Sequence, residues 1–223
     1  MVTFTLQEFL AMIARYNASY WPIALLAYAL GVGAAILALK RGDSASRFVA
    51  GVLILFWLWT GVVFNGLVFS GLSGQAVLFA VLFVVEAFLV AATGVFKQQL
   101  RFNVRADVYG VVGGLAILYG MIGYPVVAAL VGRGYSHWLL LGLTPCPTVV
   151  YTLGLLLWSA RPLPKAVLAI PALYALGGGM LAASQGIVED IGMVALAVFA
   201  TGLLLYRDRR GGRRLMLSTP SGV

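Results

Sequence analysis

Charged residues are scarce in this chain of 223 residues: they make up 10% of it, whereas hydrophobic residues make up 62%. A soluble domain usually carries about 25% charged residues, so this chain has too few to cover a water-exposed surface. That scarcity excludes the soluble, disordered and coiled-coil classes. The composition therefore predicts a polytopic membrane protein.

Cysteine and histidine are almost missing, with one of each, Cys146 and His137. A single cysteine excludes an internal disulfide and a relay of paired thiols. A single histidine excludes a haem held by two histidines and a multi-histidine metal centre built from this chain alone. Neither a Ser-His-Asp set nor an HExxH pair is apparent, so we do not expect an enzyme.

Long apolar segments are abundant, and a membrane-spanning helix needs about 20 mostly apolar residues. The short alternating segments of a membrane β-barrel are absent. We therefore predict an all-α bundle of seven transmembrane helices. The seven segments are Tyr20–Leu39, Phe48–Phe69, Gln75–Phe96, Val108–Val131, Trp138–Ser159, Ala166–Gln185 and Ile191–Tyr206.

The loops between these segments carry their basic residues mainly on one side. Thirteen of the 15 Lys and Arg residues fall on that side, and only Arg15 and Arg133 fall on the other. Because basic loops stay in the cytoplasm, the N-terminus is predicted outside and the C-terminus inside. The basic excess is thereby explained by topology, with anionic lipid headgroups as an alternative, and no nucleic-acid partner is predicted.

Three parts of the chain are distinguished. Thr5 and Glu8 fit a helix capping box, and apolar residues recur at helical spacing after them, so residues 1–18 are predicted to form an amphipathic helix on the outer membrane surface. A lid across the mouth of the bundle is the alternative. Residues 19–206 form the seven-helix domain, and residues 207–223 form a basic cytoplasmic tail.

Glu86 is the one acidic residue in the middle of an apolar segment. Ionisable groups at membrane depth are costly and usually mark function, so Glu86 is expected to face the interior of the bundle. No basic residue is predicted at the same depth. Three roles stay open: a protonatable carrier site, a cation ligand, or a neutral acid that donates a hydrogen bond to another helix.

The remaining polar residues of the apolar segments are concentrated toward the outer side. They predict a polar, outward-facing vestibule that narrows toward Glu86, with Glu189 and Asp190 in the final outer loop. Besides Glu86, the candidates for contact with a solute or ion are Asn65, Thr148, Gln185, Glu189, Asp190 and Trp59.

The sequence Pro145-Cys146-Pro147 predicts a broken fifth helix, because proline removes a backbone donor and clashes with the preceding turn. Interrupted helices at membrane depth line cavities and often form binding sites in transporters. Met180 and Met193 lie at similar predicted depths, and thiolate and thioether ligands suit a soft metal such as Cu(I). The alternative is a kinked helix with an inert cysteine and space-filling methionines. No other cofactor is predicted.

Several short motifs follow one another in a recognisable order along nearly the whole chain. They include Tyr16-Asn17, Trp57-Leu58-Trp59, Pro145-Cys146-Pro147-Thr148 and Glu189-Asp190-Ile191-Gly192. In this order the chain resembles a family of small seven-span prokaryotic membrane proteins known only as a domain of unknown function. The resemblance implies the architecture and a prokaryotic inner-membrane location, and it assigns no activity.

Three functions remain as hypotheses. The first is a transporter or channel for a small solute or a cation, with Glu86 at the end of the vestibule. The second is a soft-metal protein centred on Cys146, and the third is a membrane partner subunit or receptor that transports nothing. Membrane lipids and a small solute or ion are the expected partners, and a homo-oligomer is an open alternative.

Overall fold

The computed structural model describes residues 4–160 and 163–218, with side chains up to Arg209. Within these ranges the chain is helical, and its only extended pairing is one bridge between Phe102 and Ser159. The seven helices are α1 (Leu6–Leu39), α2 (Asp43–Gly71), α3 (Gln75–Phe96), α4 (Val108–Leu130), α5 (Pro145–Leu157), α6 (Lys165–Ser184) and α7 (Glu189–Ser218).

Six of these helices, all except α5, are long and apolar enough to cross a membrane. Their outward faces carry large apolar side chains, such as Leu78, Phe88 and Phe199, that are more than half exposed. Soluble monomers do not expose apolar surface on this scale. The protein is therefore a multi-pass integral membrane protein, as its composition predicted.

Helix α5 differs from the other six because it has only 13 residues, and every one of them is buried. At a rise of 1.5 Å per residue it is about 20 Å long, shorter than a membrane core of about 30 Å. It packs against α4, α6 and α7 in the centre of the bundle. The contact with α4 is close because Gly113 and Gly154 face each other: a Cβ atom on Gly154 would lie 2.7 Å from the Gly113 carbonyl oxygen.

The two prolines of the fifth segment stand at the start of α5. Pro145 is the first helical residue, where proline loses no hydrogen bond because the first N–H groups of a helix have no partner within it. The preceding residues form turns instead of helix, with Gly142 at φ +76°. The prediction that this segment is not one regular helix is confirmed, but the prolines begin a helix instead of breaking one.

Helix α1 is one continuous helix of 34 residues that passes through Pro22. The predicted capping box is present, since Thr5 and Glu8 exchange side-chain and backbone hydrogen bonds. The prediction of a separate surface helix over residues 1–18 is corrected, because from Leu6 onward this segment is the first part of α1. At about 51 Å, α1 is longer than the membrane core is thick.

The bundle has two chemically different ends. We call the end that holds Glu189 and Asp190, the first residues of α7, the carboxylate end. The opposite end, which we call the basic end, holds the basic residues that follow α1 and α3, Lys165 at the start of α6, and Arg207 and Arg209 of α7. Of the predicted basic tail, residues 207–218 continue α7, and residues 219–223 lie outside the described residues.

Candidate functional site

A cleft opens at the carboxylate end, between α2, α3, the start of α5 and the end of α6. Water-sized molecules can occupy a volume of about 60 Å³ within this cleft. All the empty space of the cleft, including its open mouth, amounts to about 590 Å³. The smaller volume has room for a few water molecules. Its walls consist of Phe4, Phe9, Phe64, Asn65, Phe69, Phe79, Leu139, Thr144, Pro145, Cys146, Tyr174, Gly178, Leu181, Ala182, Gln185 and Ile187.

Aromatic rings form one side of this cleft. Phe4, Phe9, Phe64 and Phe69 pack ring against ring, with centroids 5.4–6.0 Å apart. Ring pairs at this spacing attract one another beyond the gain from burial alone. The walls of this cleft are therefore mainly apolar, and the polar, outward-facing vestibule stays a prediction.

The floor of the cleft is Tyr174, on α6. Its ring packs edge-on against Phe79 and Phe83 of α3, at centroid distances of 5.3 and 4.9 Å. Its hydroxyl oxygen lies 3.6 Å from the Cys146 sulfur atom. Helices α3, α5 and α6 thus meet at Tyr174.

Glu86 lies one helical turn beyond Phe83, on the same buried face of α3. Its side chain is 0% exposed, and neither carboxyl oxygen has a hydrogen-bond partner. The prediction that Glu86 faces the interior of the bundle is confirmed, and no described basic residue pairs with it. Glu86 is not one of the residues that line the cleft.

Asp190 provides a second buried carboxyl group, beside the cleft. Its Oδ1 atom accepts a hydrogen bond of 2.6 Å from the Tyr124 hydroxyl of α4. Its Oδ2 atom is buried and makes no hydrogen bond. A buried polar atom without a partner is costly, which marks Asp190 as a candidate for function.

Glu189 is also buried, at 1% exposure, and forms an ion pair with Arg133. Arg133 Nη1 donates to both carboxyl oxygens at 2.7 Å, and its Nη2 donates to the Gly186 carbonyl oxygen at 2.6 Å. The Tyr119 hydroxyl donates to the Glu189 carbonyl oxygen at 2.6 Å. The prediction that Glu189 and Asp190 form a loop is wrong, because both residues begin α7 inside the bundle.

The other predicted solute contacts are divided between the cleft and the scaffold. Asn65 and Gln185 line the cleft, and the Asn65 amide donates to the Thr60 carbonyl oxygen at 2.8 Å. Thr148 accepts from Gly142 N–H and donates to the Thr144 carbonyl oxygen, so it stabilises the turn before α5. Trp59 donates to the Tyr16 hydroxyl and lies outside the cleft.

The three predicted metal ligands do not face a common space. Cys146 lines the cleft, whereas Met180 points away from it and is 61% exposed. Met193 is fully buried against Gly179 on another side of α6. Among the described residues, no group of three or more His, Cys, Asp and Glu side chains could hold a metal ion. Soft-metal binding stays a prediction.

Sequence reasoning missed Arg133, Tyr124 and Tyr174 as members of the site. Their partners lie 56, 66 and 28 residues away along the chain, so no local pattern relates them. One signal was available for Arg133. It is one of only two basic residues assigned to its side of the membrane, and Glu189 and Asp190 are assigned to the same side.

A buried arginine, Arg207, lies at the basic end and is 3% exposed. Its Nη1 atom donates to the Ser159 carbonyl oxygen at 3.0 Å, and its Nε atom contacts Asp208 at 3.1 Å. Its guanidinium carbon lies 5.8 Å from the Tyr109 ring centroid. The cavity beside it has room for about one water molecule, at about 10 Å³.

One comparison with known proteins gives a match. The model of a family described as a family of unknown function, DUF6064, matches residues 6–214. No curated protein and no solved structure matches the chain. The match covers nearly all of the chain, in agreement with the resemblance noted from its motifs.

Proposed function

The chain belongs to DUF6064, a family of unknown function, and we propose that it carries a small, largely apolar solute across the membrane together with a proton on Glu86. The single observation that carries this proposal is Glu86 itself. It is fully buried in the middle of α3, and both of its oxygens lack a partner. Buried acidic residues of this kind serve as proton carriers in membrane transporters.

The chemistry of the cleft limits the solute. Its aromatic walls favour an apolar body, and few polar groups are left to bind a single polar function. Those groups include the hydroxyl of Tyr174, the thiol of Cys146 and the side-chain amide of Gln185. A solute with one hydroxyl, carbonyl or carboxyl group and a short apolar chain fits this arrangement.

The state of Glu86 supports the coupling to a proton. An ionised carboxylate without hydrogen bonds is strongly disfavoured in an apolar interior, so the resting form holds a proton. When the Tyr174–Phe83 contact opens, the solute and Glu86 share one space. Release of the proton on the opposite side then accompanies release of the solute.

The orientation follows from the distribution of basic residues. The basic end faces the cytoplasm of a prokaryotic cell, and the carboxylate end with its cleft faces outward. A single cysteine placed at Tyr135 or at Gln98, in a Cys146→Ser chain, tests this in intact cells. A membrane-impermeant maleimide should label the cysteine at position 135 only. Labelling of the cysteine at position 98 alone would show the opposite orientation.

The coupling is tested in liposomes that contain the purified protein and a trapped pH-sensitive dye. Gradients of short-chain alcohols, amides and carboxylic acids are applied in turn, and the proton movement that each one drives is recorded after subtracting the movement in protein-free liposomes. We expect one chemical class to drive proton movement in the wild type and none to do so in Glu86→Gln. Glu8→Gln is the matched control, because it makes the same change at an exposed carboxyl group of α1.

The contradicting result is equal proton movement in the wild type and Glu86→Gln. A binding-only receptor is the second candidate, and it is favoured by the absence of Glu86 from the cleft lining. It predicts that a solute raises the melting temperature of both proteins while neither one moves protons. Binding without flux would therefore replace the transport proposal with the receptor.

A further inference from the structure

The walls of the cleft differ in exposure from one helix to another. Its wall residues between positions 139 and 146, before α5 and in its first turn, are all buried. The wall residues on α3 and α6 are all partly exposed, and they are Phe79, Tyr174, Gly178, Leu181 and Ala182. The cleft is therefore closed toward the centre of the bundle and open along the gap between α3 and α6.

This gap lies at membrane depth. Phe79 is four residues into α3, and Tyr174 is ten residues before the end of α6 at Ser184. At 1.5 Å per residue they lie about 6 and 15 Å from those helix ends, within one half of a membrane core of about 30 Å. Beside the gap, Leu78 and Leu173 are 61% and 70% exposed on helices that can cross a membrane. Lipid chains of the leaflet at the carboxylate end therefore face the gap.

The approach from water at the same end is covered by the start of α1. The rings of Phe4 and Phe9 pack edge-on against Phe69 near the end of α2, at 5.4 and 6.0 Å. Leu6 packs against the turn after α6, since a Cβ atom on Gly186 would lie 3.2 Å from its side chain. The first turn of α1 thus joins the ends of α2 and α6 over the cleft, which directs access to the gap between α3 and α6.

One buried polar group in the cleft wall has an acceptor to spare. Asn65 borders the cleft and is 1% exposed. Its amide nitrogen donates to the Thr60 carbonyl oxygen at 2.8 Å, whereas no described residue donates to its side-chain oxygen, Oδ1. A buried acceptor without a donor is costly, so an occupant that carries a hydroxyl hydrogen is favoured at this point.

We propose that the cleft binds an uncharged single-chain amphiphile, which enters from the leaflet at the carboxylate end through the gap between α3 and α6. Its head, a hydroxyl or a protonated carboxyl group, donates a hydrogen bond to Asn65 Oδ1. Its chain passes between Phe79 and Gly178, and the far end of the chain stays among the lipid chains.

The size and the chemistry of the cleft fit this class of molecule. The volume of about 60 Å³ that water-sized molecules can occupy holds the head and the first carbon atoms, and the open side accommodates the remaining chain. The apolar walls disfavour a charged head. A phospholipid, which has a charged head and two chains, does not fit this space.

This inference rests on the proposed function, because it concerns the same cleft, and it adds the class of the solute and its route. Its readout is covalent labelling and not a flux, so the two can fail separately. Labelling of the cleft without proton movement overturns the transport proposal alone. Proton movement that Glu86→Gln abolishes, without labelling of the cleft, overturns this inference alone.

The probes are two decanols that carry a photoreactive diazirine, one beside the hydroxyl group and the other at the far end of the chain. Each is added to phosphatidylcholine liposomes that contain the full-length wild-type protein, and labelled peptides are mapped by mass spectrometry after irradiation. The first probe should label the cleft wall at Asn65, Phe79 or Tyr174, and the second should label Leu78 and Leu173 on the lipid-facing surface. The reverse pattern, which a chain inserted tail first would give, overturns the proposal, and so does the same pattern with both probes.

Two neighbouring glycines of α6 provide a matched pair of variants. A Cβ atom on Gly178 would lie 3.0 Å from the Tyr174 ring at the gap, whereas nothing lies within 4 Å of a Cβ atom on the exposed Gly177. Because small changes in the size of a hydrophobic pocket alter binding by about tenfold or more, labelling of the cleft wall by the first probe should fall at least that much in Gly178→Leu. Gly177→Leu should be labelled as the wild type is. Equal labelling of the two monodisperse variants overturns the proposal.

The position of the head is tested with two unlabelled competitors, decanol and decyl methyl ether. The ether has the same chain and no hydrogen to donate. Loss of one hydrogen bond at membrane depth should make the ether about threefold weaker as a competitor. The difference should disappear in Asn65→Leu, which lacks Oδ1. Equal competition by both compounds in the wild type overturns the assignment of the head to Asn65.

Discussion

Among the described residues, Arg133 is partly buried at the carboxylate end and Arg207 is buried at the basic end, and the two arginines are satisfied in different ways. At the carboxylate end, Arg133 pairs with the buried carboxylate of Glu189, and the neighbouring Asp190 keeps one oxygen without a partner. At the basic end, Arg207 donates to the Ser159 carbonyl oxygen and contacts Asp208, a neighbour on its own helix. One end depends on a charge pair between distant parts of the chain, and the other depends mainly on backbone.

The empty space at the two ends of the bundle differs as well. The basic end is closed by backbone contacts, since Asn103 N–H donates to the Trp158 carbonyl oxygen at 2.8 Å and Phe102 pairs with Ser159. The carboxylate end holds the cleft and two buried polar groups that are not fully paired, Asp190 and the Asn17 side-chain oxygen. A buried polar atom without a hydrogen-bond partner requires an explanation such as a catalytic role, and this favours the carboxylate end as the functional end.

The largest effect on stability is expected for Arg133→Ala. The substitution leaves the Glu189 carboxylate buried without its partner, which lowers the free energy of unfolding by about 3–5 kcal/mol. SDS titration of the purified protein measures the change. The control is Asp43→Asn, which removes the exposed pair with Arg101 at 3.6 Å and should change stability by about 0–1 kcal/mol. Equal effects of both substitutions would remove the distinction between the buried and the exposed pair.

Arg207→Ala should have an intermediate effect. The Ser159 carbonyl oxygen loses its donor, at a loss of about 1–3 kcal/mol. No fully buried opposite charge is left behind, because the Asp208 side chain is 18% exposed. The same titration should place this variant between Arg133→Ala and Asp43→Asn. If Arg207→Ala lowered the free energy of unfolding as much as Arg133→Ala, the two arginines would be equally important for stability. That result would contradict the difference between the two ends.

Tyr119→Phe should have a small effect. It removes only the hydroxyl that donates to the Glu189 carbonyl oxygen at 2.6 Å, and hydrogen bonds between membrane helices contribute about 0.6 kcal/mol on average. The ion pair of Arg133 remains. A loss above about 2 kcal/mol, beyond the range of such bonds, would show that this hydroxyl holds the ion pair in place.

The sequence was sufficient to predict much of the architecture, because apolar length and composition determine which segments lie in a membrane. The buried position of Glu86 and the irregular backbone before Pro145 follow from local properties of single residues. Apolar length could not show whether the fifth segment spans the membrane, because the α5 helix within it is shorter than the segment. The extent of α1 was also mispredicted, because its helix continues past the polar residues Arg15 and Asn17 and through Pro22.

The candidate site was harder to predict, because it depends on which helix faces meet. Arg133 and Glu189 are 56 residues apart, and the Tyr124 hydroxyl reaches Asp190 across 66 residues. The polar vestibule was inferred from depth alone. Depth does not show that the Thr148 hydroxyl is used within its own turn or that phenylalanine rings form the walls.

The central claim is that solute passes through the cleft. Its most direct test is to measure solute-driven proton movement in liposomes that contain Ala182→Trp or Met180→Trp. Ala182 lines the cleft, whereas Met180 lies two residues away on the same helix and is 61% exposed away from it. An indole at position 182 fills the cleft, so flux should fall to the level of Glu86→Gln, while Met180→Trp should retain wild-type flux. Wild-type flux in both variants would show that solute does not pass through the cleft.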